Sequence, residues 1–474
     1  MSNPFLKITG LDVKYQQNLV LSGLEWEIFE GENWLLGGRS GSGKTSLGKA
    51  IAEMTLDISV AFVSSWFQFT NLDGDRNFYY QQRYNKHQVN DTLTVYAELL
   101  NYAKEENLKY EDVERYLELF GFHNCRKTQL IELSSGENKK LQLIKALWLK
   151  PQLLILDQPY TGLDSTTRQA LNLELDRLAE EGLQLILISN DCDLPSCINR
   201  FAQIEDGKLK IVDSKKNISR EPIRAKKELP GFLRQVPATS SSHQMVKMKG
   251  VNVRYGDKQV LYDVSWEIRA GERWLLQGHN GSGKSTLLSL LTGDHPQAYS
   301  NDLYLFGKKR GSGESIWEIK ERLGIISPEL HWYFDPRAKV WQSIASGFHD
   351  SVGLFRNLTH DQQRKVNEIL EFFDLKEHAN QLLNTLPLGK QRLALLARTI
   401  IKNPELLILD EPCQGLDAAQ SKHFNDVVDE LCTFGKTLIY VGHFETQLPS
   451  CIEHKITLEK GRVKDVETIT ESIF

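Results

Sequence analysis

A chain of 474 residues is too long for one ordinary domain, and 41% hydrophobic with 25% charged residues is the balance of a soluble globular protein. A formal net charge of −5 gives no electrostatic reason to expect nucleic acid as the main partner. No apolar run approaches the roughly 18–20 residues that cross a bilayer, so a membrane role would need other polypeptides to supply the span. The opening "MSNPFLKITG" has no signal pattern, and six scattered cysteines include no CxxC pair; reduced thiols in a cytoplasmic protein are expected rather than zinc or a redox dithiol.

In chain order, the first buried-strand pattern is "NWLLGG", ending at Gly38. "GRSGSGKT" follows from Gly38 to Thr45 and opens the helical pattern "TSLGKAIAEM". The strand, glycine-rich loop and helix together make the phosphate-binding motif G-x-x-x-x-G-K-[ST] credible. Gly38, Gly41 and Gly43 admit backbone angles closed to other residues, and the N–H groups of Arg39, Ser40, Ser42 and their neighbours would hold phosphate oxygens. Lys44 would reach the outer phosphates and Thr45 would offer a hydroxyl to magnesium.

"LSSGE" runs from Leu133 to Glu137, and "QLLILD" ends on Asp157, a carboxylate at a strand end placed for magnesium. "GLD" with Asp164, the helical "RQALNLELDRLAEEG" and the strand "LQLILIS" complete the pattern. Residues 213–244 are rich in Lys, Arg, Ser and Pro without apolar periodicity, which reads as an exposed linker.

The pattern then repeats. "LEWEIFEGENWLLGGRSGSGKTSL" from Leu24 is matched by "VSWEIRAGERWLLQGHNGSGKSTL" from Val264, and the interval Tyr15 to Lys44 equals that from Tyr255 to Lys284. The second loop brings Gly278, His279, Asn280, Gly281, Ser282, Gly283, Lys284, Ser285 and Thr286, and its strand-end aspartate is Asp410. Even "LPSCI" recurs, at Leu194 and Leu448. A first domain over 1–212, a linker and a second domain over 245–474 follow. Alternating strands and helices predict, in each, an α/β fold with a mainly parallel sheet flanked by helices.

These motifs resemble those of ABC ATPases over both halves, all but the linker. "LSSGE" is similar to the family signature, with Ser134 and Gly136 as its nucleotide contacts; Asp164 and Asp417 resemble the D-loop; Gly442–His443 resembles the switch histidine; Tyr15 and Tyr255 resemble the aromatic that stacks on adenine. Within the family, Leu291 to Gly324 resembles a tandem ATP-binding protein associated with molybdate transport. The resemblance implies two tandem P-loop NTPase domains, each with a helical signature subdomain and an antiparallel β edge. It also implies ATP and Mg2+ as ligands, ATP hydrolysis, and an integral-membrane permease as partner.

In this family each ATP lies between the P-loop of one domain and the signature of the other, so the resemblance sorts the motifs by composite site. Lys44, Thr45 and Asp157 would pair with "LPLGK", where Pro387 has neither hydroxyl nor N–H; the catalytic glutamate is replaced by Gln158 and the switch histidine by Asn190. Lys284, Ser285, Asp410, Glu411 and His443 would pair with the intact "LSSGE". The losses cluster in one site, which favours retained asymmetry over drift. One departure cuts across this pattern. After "LGIIS" the family glutamine is replaced by Pro328 and Glu329; Glu329 substitutes for it or the contact is absent. In the first copy that glutamine is Gln81 or Gln82, within the aromatic stretch Trp66 to His87, which is either partner-facing or buried. A soluble ABC factor or a regulatory ATPase is the alternative to transport. Pro222, Pro230 and Pro237 argue against the long helical linker of soluble factors.

Overall fold

The computed structural model describes residues 3–469 except 16–17, 40, 55, 65–92, 131–132, 134, 162, 191–192, 216–226, 236–243, 256–257, 294, 328–336, 352–353, 355, 415, 417 and 443–447. The chain forms two compact units, essentially one per sequence copy.

In the first unit, β1 (Leu6–Tyr15) and β2 (Asn18–Ile28) form an antiparallel hairpin. β3 (Trp34–Gly37), α1 (Lys44–Glu53) and β4 (Val60–Val63) follow. α2 (Val95–Glu105), α3 (Glu114–Leu119) and α4 (Ser135–Trp148) make a helical layer. β5 (Leu153–Asp157), α5 (Ser165–Glu180), β6 (Gln184–Ile188), β7 (Arg200–Glu205) and β8 (Lys208–Val212) complete it. The sheet order is β4-β5-β6-β3-β7-β8, parallel except for β8 at one edge.

β5 and β6 are apolar on both faces because both faces are covered. The two-residue period sorts their side chains between two cores. Leu154, Leu156, Leu185 and Leu187 pack with Leu99, Leu117, Ile144 and Trp148 of the helical layer. Leu153, Ile155, Ile186 and Ile188 pack with Ile8, Trp26, Leu47 and Ile51 of the hairpin and α1.

The second unit repeats this plan. β9 (Gln244–Tyr255) and β10 (Lys258–Arg269) form the hairpin; β11 (Arg273–Gly278) and α6 (Lys284–Leu291) follow. β12 (Asp302–Leu305), β13 (Lys308–Lys309), α7 (Ile316–Arg322) and β14 (Leu323–Ile326) come next. α8 (Val340–Ala345), α9 (His360–Phe372) and α10 (Leu388–Ile400) form the helical layer. β15 (Leu406–Asp410), α11 (Ala418–Thr433), β16 (Thr437–Val441), β17 (His454–Glu459) and β18 (Arg462–Thr468) close it. Its sheet order, β14-β15-β16-β11-β17-β18, is that of the first unit.

One difference between the units is large. Only Met54–Ser59 separates α1 from β4, whereas Thr292–Arg322 separates α6 from β14 and adds β12 and β13 to the hairpin in a four-stranded antiparallel sheet. The recurring "LPSCI" has a common structural cause. Asp176 accepts from Ser196 Oγ at 2.8 Å and Cys197 N at 2.7 Å, and Asp429 accepts from Ser450 Oγ and Cys451 N at 2.8 Å each. Each aspartate anchors the chain leading into the β7 or β17 strand.

The segment between the copies is not a solvated tether throughout. Leu229 and Leu233 are buried within the second unit, Lys227 pairs with Asp374, and Leu229 N donates to Glu430 Oε1 at 3.3 Å. Apolar contacts outweigh the Lys- and Pro-rich composition over residues 227–235.

Candidate active site

Both phosphate loops connect the central strand of a sheet to the helix behind it, and they share one backbone conformation. Gly43 and Gly283 stand at the helix N-caps with φ of 103° and 102°. A Cβ there would lie 2.7 Å from Val20 Cγ1 in one unit and 2.7 Å from Leu261 Cδ2 in the other. Left-handed backbone and close packing against the hairpin both demand glycine. Gly41 and Gly281 match likewise, at φ 77° and 78°, and Gly38 and Gly278 also have positive φ.

Each loop is closed by its serine: Ser42 N donates to Arg39 O at 3.2 Å, and Ser282 N to His279 O at 3.0 Å. Lys44 Nζ donates to Gly38 O at 2.8 Å and Arg39 O at 2.7 Å; Lys284 Nζ donates to Gly278 O at 2.6 Å and His279 O at 3.2 Å. Both ammonium groups are thus curled inside their loops, with Arg39 exposed on the rim. Asn280, Ser285 and Thr286 stand in the second loop and the first turn of α6, where the sequence puts them. Ser42 Oγ and Ser282 Oγ are buried and have no hydrogen-bond partner among the described residues. A repeated, buried, donor-rich loop of this kind suits a ligand with many acceptor oxygens.

Thr45 Oγ1 donates to Asp157 Oδ2 at 2.8 Å. Two elements distant in sequence thereby bring a hydroxyl and a carboxylate together below the first loop. Asp410 ends β15 as Asp157 ends β5.

The residues after these aspartates are alike in φ and backbone hydrogen bonding and different in chemistry. Gln158 has φ 49° and Glu411 has φ 45°. Gln158 N donates to Ile188 O at 2.9 Å; Glu411 N donates to Val441 O at 3.1 Å. In the second unit Gln414 Nε2 donates to Glu411 Oε2 at 3.0 Å; the corresponding residue in the first unit is Thr161.

The signature helices also match. Asn138 Nδ2 donates to Leu133 O at 3.3 Å near the start of α4, where Gly136 is buried, and Gln391 Nε2 donates to Leu386 O at 2.7 Å at the start of α10. Pro387 is the N-cap of α10, with no side-chain hydrogen bond to the helix. Asp164 caps α5 by accepting from Thr167 N at 2.8 Å. Asn190 lies just beyond β6. Ser40, Ser134, Asp417, His443, Pro328, Glu329 and the stretch Trp66 to His87 with Gln81 and Gln82 lie outside the described residues, as does the side chain of Tyr15.

Residues 21–161 and residues 261–414 each match the ABC transporter family. The chain belongs to the ABC transporter family. This tandem ABC ATPase is similar to the ABC transporter ATP-binding protein ModF of Escherichia coli, 36% identical over 90% of this chain and 91% of that protein. It is also similar to an uncharacterized ABC transporter ATP-binding protein of Schizosaccharomyces pombe, 28% identical over 97% of this chain and 98% of that one. The ribose import ATP-binding protein RbsA of Clostridium tetani is 23% identical, over 97% and 94%. The family's activity is ATP hydrolysis, and among the described residues no helix is long and apolar enough to cross a membrane.

Two polar residues beside these motifs belong to no motif of the sequence. Gln414 is one. The other is Lys139 of α4, whose buried Nζ donates to Ser64 O at 2.8 Å and Asp157 O at 3.4 Å. Burial drives its pKa down to about 7, partly opposed by the Asp157 carboxylate. The lysine ties the signature helix to the strand-end aspartate. Its only sequence signal is a charge at a position that α4 turns toward the sheet.

Proposed function

We propose that this ABC ATPase hydrolyses ATP at the site built on Lys284 and Glu411, and holds ATP with little turnover at the site built on Lys44 and Gln158. The observation that carries this reading is the pair Gln158 and Glu411. Both have left-handed φ and donate N–H to the neighbouring strand in the same way, so the difference between a carboxamide and a carboxylate stands out at one backbone position. A carboxylate can take the proton of an attacking water and a carboxamide cannot. As the family resemblance implies, His443 would contact the γ-phosphate, and Ser134 and Gly136 would complete that site. Pro387 and Asn190 would leave the other deficient.

Magnesium fits the donor set, because hydroxyl and carboxylate oxygens are hard ligands. Thr45 and Asp157 would hold it in one site, Ser285 and Asp410 in the other, where it would neutralise phosphate charge. Tyr255 is the proposed adenine platform of the second site. Tyr255 is 37% exposed at the tip of the β9–β10 hairpin, whose Leu261 packs on Gly283 of the loop. Tyr15, at the matching end of β1, would serve the first site.

The work done with ATP is, in this reading, transport: the chain is the cytoplasmic ATPase that docks on an integral-membrane permease, with molybdate the cargo suggested by resemblance. The names of ModF and RbsA support the class. The test is a pull-down of tagged Glu411→Gln protein from cells with ATP and magnesium present throughout, against a Lys284→Ala control. Enrichment of one specific membrane protein supports transport. Enrichment of ribosomal proteins or nucleic acid instead overturns it in favour of a soluble factor.

A further inference from the structure

The residues Thr292–Arg322, which have no counterpart in the first unit, do more than widen the antiparallel sheet. Their first part is a bracket on the end of β9. Asn301 Oδ1 accepts from Asn252 N at 2.8 Å, and Asn301 Nδ2 donates to Asn252 O at 2.9 Å. Two residues on, Gln297 repeats the arrangement: Oε1 accepts from Arg254 N at 3.1 Å and Nε2 donates to Arg254 O at 2.7 Å. Two side-chain amides thus hydrogen-bond this strand edge as a neighbouring strand would. The next residue along β9 is Tyr255.

Tyr255 Oη and His295 Nε2 are 2.9 Å apart, and the two rings meet edge to face with centroids 5.6 Å apart. His295 is buried, while Tyr255 is an exposed residue. His295 Nδ1 accepts from Gln297 N at 3.1 Å. That bond places the imidazole proton on Nε2, so His295 donates to the tyrosine hydroxyl. Burial lowers the pKa of His295 to about 4, which keeps the ring neutral and the tautomer fixed at ordinary pH. The bracket itself is anchored by Arg310, buried and paired with Glu314; Arg310 Nη2 also donates to Tyr299 Oη at 3.1 Å.

We infer that His295 is a positioning residue of the second nucleotide site, holding the Tyr255 ring in the orientation that stacks on adenine. The inference rests on Tyr255 being the adenine platform. It makes the second site's base recognition depend on a device carried by Thr292–Arg322, where the first unit has only the short connection Met54–Ser59. A pre-oriented platform loses less freedom when the base binds, so the benefit falls on affinity rather than on turnover.

The test is photolabelling of the full chain with 8-azido-ATP, with labelled peptides assigned to the first or second half and half-saturation measured for each. His295→Ala is expected to weaken second-half labelling about fivefold, the size of one lost hydrogen bond, and leave the first half unchanged. His295→Gln, which can donate from nearly the same place, should recover most of it. Tyr255→Phe keeps the ring and removes the hydroxyl, so it should cost the same and add nothing to His295→Ala. Unchanged half-saturation in His295→Ala, or additive losses in the double variant, would overturn the inference. Should His295→Ala not fold, His295→Gln and the exposed Tyr255→Phe carry the same comparison. Tyr255→Ala separates the two readings: if it leaves second-half labelling intact, the platform assignment fails, whereas a loss there without one in His295→Ala removes only the histidine.

Discussion

Gln414 donates from Nε2 to Oε2 of Glu411 across 3.0 Å, three residues apart in one tight turn at the end of β15. Gln414 N also donates to Glu411 O at 3.1 Å, so backbone and side chain are tied together. The bond holds the Glu411 carboxylate in one orientation through Oε2. Gln414→Leu is therefore expected to lower kcat for ATP about tenfold, in keeping with a charge-assisted hydrogen bond, and to change KM little. Steady-state kinetics check it.

The phosphate loops predict a backbone effect. Gly283 has φ 102° and a Cβ there would meet Leu261 Cδ2 at 2.7 Å. Gly283→Ala should destabilise the loop by about 1–3 kcal/mol through left-handed strain and crowding. The hairpin carrying Tyr255 would be pushed away from the loop. Weakened binding of a fluorescent ATP analogue to the second half is the expected readout.

Residues 227–235 predict a contrast between burial and charge. Leu233 is fully buried, so Leu233→Ala should cost about 2–4 kcal/mol of stability. The Lys227–Asp374 pair is exposed on both sides, and Lys227→Ala should cost less than about 1 kcal/mol. Denaturant melts of the two variants measure the difference.

Lys436 predicts a pH dependence. Its buried Nζ donates to Pro404 O at 2.8 Å and to Asn403 Oδ1, and burial brings its pKa from 10.5 down to about 8. Between those values the unfolded chain binds more protons than the folded one, so this group makes stability rise with pH across that window. Below about pH 8 the cost of burying the charge is present in full. Lys436→Met should then gain most over wild type near pH 7, and the gain should shrink by pH 10. Thermal melts of both proteins at several pH values follow it.

Much of this was readable from the sequence. The repeated loops, "LLILD" strands and the Gln158–Glu411 difference are local strings whose chemistry follows from spacing. Sheet order was not readable, because the place of β3 between β6 and β7 is set by crossovers, not by the apolar runs themselves. Lys139 and His295 act through partners brought near by folding, His295 meeting Tyr255 from forty positions away, and Gln414 acts through a turn that no motif marks. Leu229 and Leu233 sat in a Lys- and Pro-rich stretch whose composition hid two buried anchors.

The most direct test of unequal sites is steady-state ATP turnover by Glu411→Gln, with bound nucleotide measured on the same protein. The account predicts a fall of about 10²–10⁴-fold with ATP still bound. Turnover near that of wild type would contradict it and place hydrolysis elsewhere.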